Sequence, residues 1–135
     1  MVPSDWNAKV IEEFRANHGT VANFGDRLLL LHTTGARTGR EHVTPVMYRQ
    51  VDGGYAVFAS FAGRPENPAW YHNLVANPEV QAEIGTQTLR LRARVADEDE
   101  RGPIWAAQKA EVPGFQDYED KTTRQIPVVI LEPAG

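Results

Sequence analysis

The chain has 135 residues, of which 41% are hydrophobic and 24% are charged, and its formal net charge is −4 at pH 7. This balance is typical of a soluble globular protein with one core, and the negative charge argues against nucleic-acid binding through a general positive field. Because the chain has no cysteine, disulfides, thiolate nucleophiles, cysteine-ligated zinc and iron–sulfur clusters are excluded. We expect one domain over residues 1–135.

The N-terminal segment, residues 1–20, predicts a helix. Ser4 or Asp5 can cap it, and His18-Gly19 ends it. Its apolar face would carry Trp6, Val10, Ile11 and Phe14. There is no signal-like apolar stretch and no run of about 18 apolar residues, so we expect a cytoplasmic protein. A peripheral membrane contact through this helix stays open, although its polar face is mixed rather than basic.

Residues 27–33 and 42–50 predict two strands joined by a turn. Pro45 cannot donate to a β-ladder, so the second strand must be bulged, or lie at an edge, at that point. The turn, residues 33–40, combines free backbone N–H groups, three hydroxyls and the guanidiniums of Arg37 and Arg40. Such a turn is either a cradle for an anion or an ordinary hairpin connection. It matches neither of the familiar glycine-rich phosphate loops.

The rest of the chain predicts further strands at residues 55–60, 79–84, 87–95 and 125–132, helices at 68–76 and 97–111, and a single helical turn at 115–121. Asn67 is placed to cap the helix at 68–76, with Pro68 at its first position. Gly102-Pro103 predicts that the next helix is kinked or begins late. The pattern predicts an α+β fold: a mainly antiparallel sheet of about six strands, curled into a small barrel, with about three helices packed outside.

No familiar catalytic set is visible in the sequence. The four histidines lie in different predicted elements without metal-ligand spacing, so we expect no metal site. There is no GxSxG elbow, and the carboxylates at 97–100 are typical of a solvated helix start. Either the protein only binds a ligand, or a cofactor carries the reaction while the protein supplies orientation and electrostatics.

Residues 68–73, PAWYHN, place two aromatic rings, a histidine and an amide at the start of a helix. Free N–H groups at such a helix start can meet an anion. A helix docked on the core through Trp70 and Leu74 is the alternative, and both descriptions are compatible. A planar, partly anionic ligand between this helix and the hairpin turn would account for both segments.

Three segments resemble one known family: LLLHTTGARTGREHVTPVMY, YAVFASFAGRPENPAWYHNLVANPEV and YEDKTTRQIPVVILE. The family is that of the actinobacterial deazaflavin-dependent nitroreductases and quinone reductases, and the resemblance covers roughly residues 24–133. It implies a split β-barrel and, as cofactor, the reduced 8-hydroxy-5-deazaflavin coenzyme (coenzyme F-420). It also implies an oxidoreductase that transfers a hydride to a quinone or another flat acceptor, with nitro compounds as a side activity.

The resemblance also implies roles for individual residues. The phosphate and acidic tail of the coenzyme would be held by Ala36, Arg37, Thr38, His42, Val43, Thr44, Pro45, Val46 and Met47. The deazaflavin ring would lie along Phe58, Ala59, Ser60 and Phe61, and the pocket would be completed by Ala69, Trp70, Tyr71, His72 and Asn73. The catalytic candidates are Tyr118, which would hydrogen-bond the acceptor or pass it a proton, and Ser60, which would lie close to the acceptor.

The chain departs from the family pattern at several of these positions. Relatives often have an arginine and a lysine in place of His42 and Val43, and a lysine in place of Glu66, so the anion pocket has less positive charge here. Phe115 stands where some relatives have a second tyrosine. Two rival functions stay open: a split barrel that binds FMN, haem or a fatty acid without this reaction, and an interaction domain with a vestigial pocket. A monomer and a homodimer are both compatible with the sequence.

Overall fold

The computed structural model describes residues 5–22 and 24–134. Its strands are β1 (Leu28–Thr34), β2 (Glu41–Val51), β3 (Gly54–Phe58), β4 (Glu79–Ile84), β5 (Gln87–Val95) and β6 (Val128–Pro133). Its helices are α1 (Asp5–Ala16), α2 (Ala69–Ala76), α3 (Glu98–Glu111) and α4 (Gly114–Lys121), with a single 3-10 turn at Phe61–Gly63. The predicted capping by Ser4 or Asp5 and the predicted packing of Trp6 lie outside the described residues and side chains.

The six strands close into a barrel in the order β1-β2-β3-β6-β5-β4. Every neighbouring pair is antiparallel. The inner core includes Leu29, Leu31, Val57, Ala82, Leu91, Val129 and Leu131. Because side chains alternate along a strand, Leu28 and Leu30 point outward, where α1 covers them with Val10 and Phe14. The predicted split barrel of about six strands is confirmed.

The other helices cover the opposite wall and pack into the barrel. Trp105 of α3 and Phe115 of α4 pack with Phe58 on the outer face of β3, next to outward residues of β6. The remaining helix, α2, places Trp70 and Leu74 in the inner cluster. None of the described helices is long and apolar enough to cross a membrane.

Three local predictions differ from the structure. α4 is a full helix of 8 residues rather than a single turn. α3 does not begin late: the Asp97 side chain accepts a hydrogen bond from the Glu100 N–H at 2.9 Å, and Pro103 lies inside the helix. Asn67 does not cap α2, whose N-cap is Pro68 without a side-chain bond. The side-chain oxygen Oδ1 of Asn67 instead accepts a hydrogen bond from Arg124 at 2.7 Å.

Pro45 lies where one edge of β2 is unpaired. The register of β2 on β1 runs without a break from Met47 to Glu41, so there is no bulge. Among the described residues, β3 pairs with β2 only from Tyr48 onward. The Tyr48 N–H donates toward β1, to the Arg27 carbonyl, and N–H directions alternate along a strand. The missing N–H of Pro45 would therefore have pointed out of the open edge, which confirms the predicted edge position.

Candidate functional site

Two adjoining cavities lie beside this open edge. The apolar cavity, about 450 Å³, is lined by Asn7, Phe24, Leu28, Thr44, Pro45, Val46, Met47, Phe58, Ser60, Phe61, Pro68, Trp70, Phe115 and Tyr118. The turn cavity, about 430 Å³, is lined by Gly35, Ala36, Arg37, Thr38, His42, Thr44, Ala69, Trp70, His72 and Asn73. Thr44 and Trp70 line both cavities, so together they form one cleft with an apolar end and a polar end.

The β1–β2 turn is shaped by its own backbone. The Gly35 N–H donates to the Arg40 carbonyl at 2.7 Å, and the Gly39 N–H donates to the Gly35 carbonyl at 3.0 Å. Gly39 has φ +71°, a conformation that suits glycine. A Cβ on Gly35 would lie 2.8 Å from the Thr38 hydroxyl oxygen and 3.1 Å from His42 Nε2. Glycine at position 35 thus lets the turn fold closely and leaves its exposed side chains beside the cleft.

Asn73 fastens this turn to α2. Its side-chain oxygen accepts a hydrogen bond from the Ala36 N–H at 3.0 Å, and its Nδ2 donates to the Thr33 hydroxyl at 3.3 Å. Thr33 is 2% exposed and Asn73 is 9% exposed, so neither group is well served by solvent and each depends on the other. The pair fixes the turn and the start of α2 as two walls of the same cavity, with Arg37 and Trp70 on the same side of the molecule.

The turn cavity has a positive bias. Its described lining residues include Arg37, His42 and His72 but no carboxylate. Within the part of the chain that the structure describes, Arg37 has no ion-pair or hydrogen-bond partner, so its guanidinium is available to a ligand. Arg64, by contrast, is paired with Glu66 at 3.2 Å and lies over the Phe61 ring, 4.8 Å from its centroid.

At the apolar end, α4 contributes Tyr118, which lines the same cavity as Ser60. The Tyr118 and Phe115 rings meet edge to face, with centroids 5.3 Å apart. α4 is tied to α3 through the Glu119 carboxylate, which accepts hydrogen bonds from Lys109 Nζ at 2.9 Å and from the Trp105 indole. The bond from Lys109, more than that from Trp105, holds the pKa of Glu119 below its usual value.

A guanidinium from far along the chain holds the other wall of the apolar cavity. Arg124 donates to the carbonyls of Ala59, Ser60 and Arg64, and to the Asn67 side chain. Partial burial lowers the pKa of Arg124, although an arginine stays charged at any physiological pH. This role was not predictable from the sequence, because a single arginine between a helix and a strand has no periodic or motif signal.

Most of the residues named from the resemblance do line the cleft: Ala36, Arg37, Thr38, His42, Thr44, Pro45, Val46, Met47, Phe58, Ser60, Phe61, Ala69, Trp70, His72, Asn73 and Tyr118. Three others do not. The Val43 side chain packs against the cluster under α1, Ala59 is fully buried, and Tyr71 lines a separate pocket beside the start of α3.

Sequence reasoning did not place Asn7, Phe24, Leu28 and Phe115 in the site, although they line the cleft. Gly35 and Pro68 also line it, and they belong to the segments 33–40 and 68–73 that the sequence indicated. Asn7 and Phe24 reach the cavity from the N-terminal part of the chain through tertiary packing, for which a single sequence carries no signal.

The cleft fits a flat molecule with an anionic tail. Aromatic and aliphatic side chains form the walls of the apolar cavity, as ring-binding sites generally require. The open edge of β2 adds backbone donors and acceptors along one side. The turn cavity supplies a free guanidinium and a closely folded glycine turn for negative charge.

Several known proteins are similar to this chain in sequence and fold. Residues 6–133 match the profile of the family described as F420H(2)-dependent quinone reductase. An F420H(2)-dependent quinone reductase of Mycobacterium tuberculosis is 34% identical in an alignment of 122 residues that covers 84% of this chain and 82% of the relative. A solved structure described as an F420-H2 dependent reductase is 37% identical, with a TM-score of 0.72, over 78% of this chain and 94% of that chain.

Two further structures extend the comparison. One, described as a domain-swapped dimer, is 34% identical with a TM-score of 0.74 over 93% of each chain. The haem storage protein HutZ from Vibrio cholerae is 20% identical with a TM-score of 0.60, over 93% of this chain and 88% of that chain, and shares the fold alone.

The profile match spans nearly all of the chain, and the identity to the mycobacterial relative extends over most of both proteins. The resemblance seen in the three sequence segments is therefore confirmed. The predicted class of enzyme, an oxidoreductase that depends on coenzyme F-420, is confirmed as well. The chain belongs to the F420H(2)-dependent quinone reductase family.

Proposed function

We propose that the chain binds reduced coenzyme F-420 along the cleft, with the ring in the apolar cavity and the tail in the turn cavity, and reduces a quinone there. The observation that carries this proposal is the union of two chemically opposite cavities at Thr44 and Trp70. When bound, the coenzyme supplies a hydride from a ring carbon. The protein's task is to orient the two reactants, exclude water and stabilise the charge that develops on the acceptor oxygen.

The tail is the part that the turn cavity would recognise. Arg37 offers two parallel N–H donors to a phosphate or carboxylate, and the Thr38 hydroxyl lies beside it. His42 and His72 line the same cavity and add ring nitrogens that can hydrogen-bond a phosphate or carboxylate. Because Arg37 is exposed, its contribution to affinity should fall as salt is added.

The ring would be held by shape and by backbone. Phe58, Phe61 and Trp70 contribute aromatic surface to the apolar cavity. By the alternation set at Tyr48, the carbonyl of Pro45 points out of the open β2 edge. This carbonyl can accept a hydrogen bond from the polar edge of a heterocycle in the way that it would from a neighbouring strand.

Tyr118 and Ser60 are the groups proposed to act on the acceptor. Both line the apolar cavity, and both carry a hydroxyl that can donate a hydrogen bond. A phenol suits the stabilisation of an acceptor oxygen that gains negative charge, because it can donate a hydrogen bond or release its proton. Ser60 is 9% exposed, so a hydrogen bond from its hydroxyl would form largely away from water.

The first experiment is a fluorescence titration of the purified protein with coenzyme F-420. We expect saturable binding that Arg37→Ala weakens about tenfold, the effect of one charge-assisted hydrogen bond. Arg40→Ala is the matched control, because Arg40 belongs to the same turn but does not line the cleft. A fragment of the coenzyme that ends before the phosphate should bind wild type and Arg37→Ala equally. Absence of saturable binding at tens of micromolar would overturn the proposal.

The second experiment separates binding from turnover. Tyr118→Phe keeps the ring that packs on Phe115 but removes the hydroxyl. We expect kcat with a soluble quinone to fall about a hundredfold or more, the lower end of the range for loss of a proton donor, while the Kd of the coenzyme stays within about twofold of wild type. An equal loss of coenzyme affinity would show that Tyr118 is a binding residue and not an acceptor-side group.

A further inference from the structure

Arg124 makes four hydrogen bonds to one segment, residues 59–67. Its Nε donates to the Arg64 carbonyl at 2.9 Å, one terminal nitrogen donates to the Ser60 carbonyl at 2.8 Å, and the other donates to the Ala59 carbonyl at 3.0 Å. The last nitrogen also donates to the Asn67 side chain at 2.7 Å. All three guanidinium nitrogens are therefore committed to the segment 59–67.

The same segment contains an unusual backbone conformation at the mouth of the apolar cavity. Phe61 has φ +47°, which bulky side chains rarely adopt. The residue is 37% exposed and lines the cavity. Left-handed backbone at a non-glycine residue persists only when the surroundings enforce it, and it is concentrated at functional sites.

The bonds of Arg124 enclose this conformation. They fix the carbonyls of Ala59 and Ser60 on the N-terminal side of Phe61 and the carbonyl of Arg64 on its C-terminal side. On the far side, Gly63 packs against α4: a Cβ there would lie 2.8 Å from the Tyr118 carbonyl oxygen. The segment is thus held from two directions, and Arg124 itself does not line either cavity.

We propose that Arg124 is a positioning residue, which holds Ser60 and Phe61 as a preformed wall of the apolar cavity and so determines the affinity for the coenzyme ring without touching it. This inference rests on the proposed function. A preformed wall raises affinity because the loop's ordering is completed before the ligand arrives. The effect of Arg124 should therefore concern the ring and be independent of the tail.

The test is Arg124→Lys, which keeps the charge but replaces a planar fork by a point donor. We expect the Kd of coenzyme F-420 and the Kd of the tail-less ring fragment to rise by the same factor, about tenfold for the loss of charge-assisted bonds. Arg94→Lys is the matched control, because Arg94 also bridges two groups, Glu100 and Glu132, but lies away from the cleft. Its two Kd values should stay within about twofold of wild type.

A double-mutant cycle then asks whether Arg124 acts through Phe61. Glycine adopts positive φ without strain, so Phe61→Gly keeps the backbone conformation and removes the strain that needs support. We expect Arg124→Lys to raise the Kd of the ring fragment less in the Phe61→Gly background than in wild type. Effects that multiply independently would overturn the proposed route, as would unchanged Kd values in an Arg124→Lys protein with a lowered melting temperature.

Two further measurements keep the inference testable if Arg124→Lys folds poorly or if no variant binds the coenzyme. Asn67→Ala removes one of the four bonds of Arg124 and should raise the Kd of the ring fragment by a smaller factor in the same direction. Amide hydrogen exchange without ligand should be faster at residues 61–64 in Arg124→Lys than in Arg94→Lys. Wild-type protein that fails to bind the coenzyme refutes the proposed function, whereas unchanged exchange at 61–64 refutes the role of Arg124.

Discussion

The two ends of the cleft are built in different ways. One wall of the turn cavity is a short contiguous turn whose glycines set its path, and Asn73 fastens this turn to α2. The apolar cavity is formed by segments that are far apart in the sequence. Its wall at Phe61 is held by hydrogen bonds from Arg124, which lies 57 positions after Asn67, one of its partners. A cavity wall made by a contiguous turn can be predicted from the sequence. A wall that depends on one distant side chain cannot.

The largest effect is expected at Trp70, because this residue lines both the apolar cavity and the turn cavity. Trp70 is 7% exposed and packs in the inner core. We expect Trp70→Ala to lower the free energy of unfolding by about 3–5 kcal/mol, the usual cost of deleting a buried tryptophan. We also expect it to weaken the binding of both the full coenzyme and the ring fragment. Urea unfolding and fluorescence titration measure the two effects. Trp70→Phe, which keeps most of the apolar volume, should cost less, and equal losses in the two variants would contradict this account.

Asn73→Ala should affect the turn end alone. The variant loses the bonds to the Ala36 N–H and the Thr33 hydroxyl and leaves both groups without that partner. We expect a loss of about 1–3 kcal/mol in unfolding free energy and about tenfold weaker binding of the full coenzyme, with the ring fragment unaffected. Asn77→Ala is the control, because Asn77 also bonds β1 from the end of α2, at the Thr34 carbonyl, but does not line the cleft. The same loss of coenzyme affinity in both variants would contradict the proposed role of Asn73.

The smallest effect concerns acid stability at the apolar end. Because Lys109 lowers the pKa of Glu119 in the folded state, the ionised carboxylate favours folding. That stability is present above the unfolded pKa of a glutamate, about 4.3, and is lost as the pH falls through the folded value. Glu119 is about one-third exposed, so Glu119→Gln should cost less than about 1 kcal/mol at pH 7.

Unfolding free energies measured from pH 7 downward test this expectation. The difference between wild type and Glu119→Gln should shrink in acid. Glu111→Gln is the control on α3, because Glu111 pairs with Arg49 and does not join α3 to α4. A gap between wild type and Glu119→Gln that stays constant into acid would mean that the carboxylate's charge is not the stabilising feature.

The strands were predictable where alternation and turn residues agree. β4 and β5 have the predicted bounds, Glu79–Ile84 and Gln87–Val95, and Pro45 lies at an edge as its missing N–H requires. Local rules failed where a distant partner competes: Asn67 has the chemistry of a cap but accepts a bond from Arg124 instead. In α3 the cap at Asp97 starts the helix at Glu98, before Pro103, so the proline lies inside the helix instead of marking its beginning.

The site was predictable to the extent that it is contiguous. The turn and the start of α2 both form the cleft, as their residues suggested. A family resemblance, however, assigns a role to every residue of a matching segment. A strand or helix presents only some of its side chains to one side. Val43 and Tyr71 are neighbours of cleft residues whose own side chains point elsewhere. Asn7 and Phe24 come to the cavity only through tertiary packing.

The open stretch of β2 has a consequence for how copies of the chain meet one another. An unpaired sheet edge is a template on which a foreign strand can be added, and natural proteins protect such edges with proline or charge. Residues 41–47 carry that protection in Pro45, which interrupts the row of donors. The gap in the barrel that leaves room for a small molecule therefore also contains the feature that discourages association through the same edge, so Pro45→Val should make the ligand-free protein aggregate more readily.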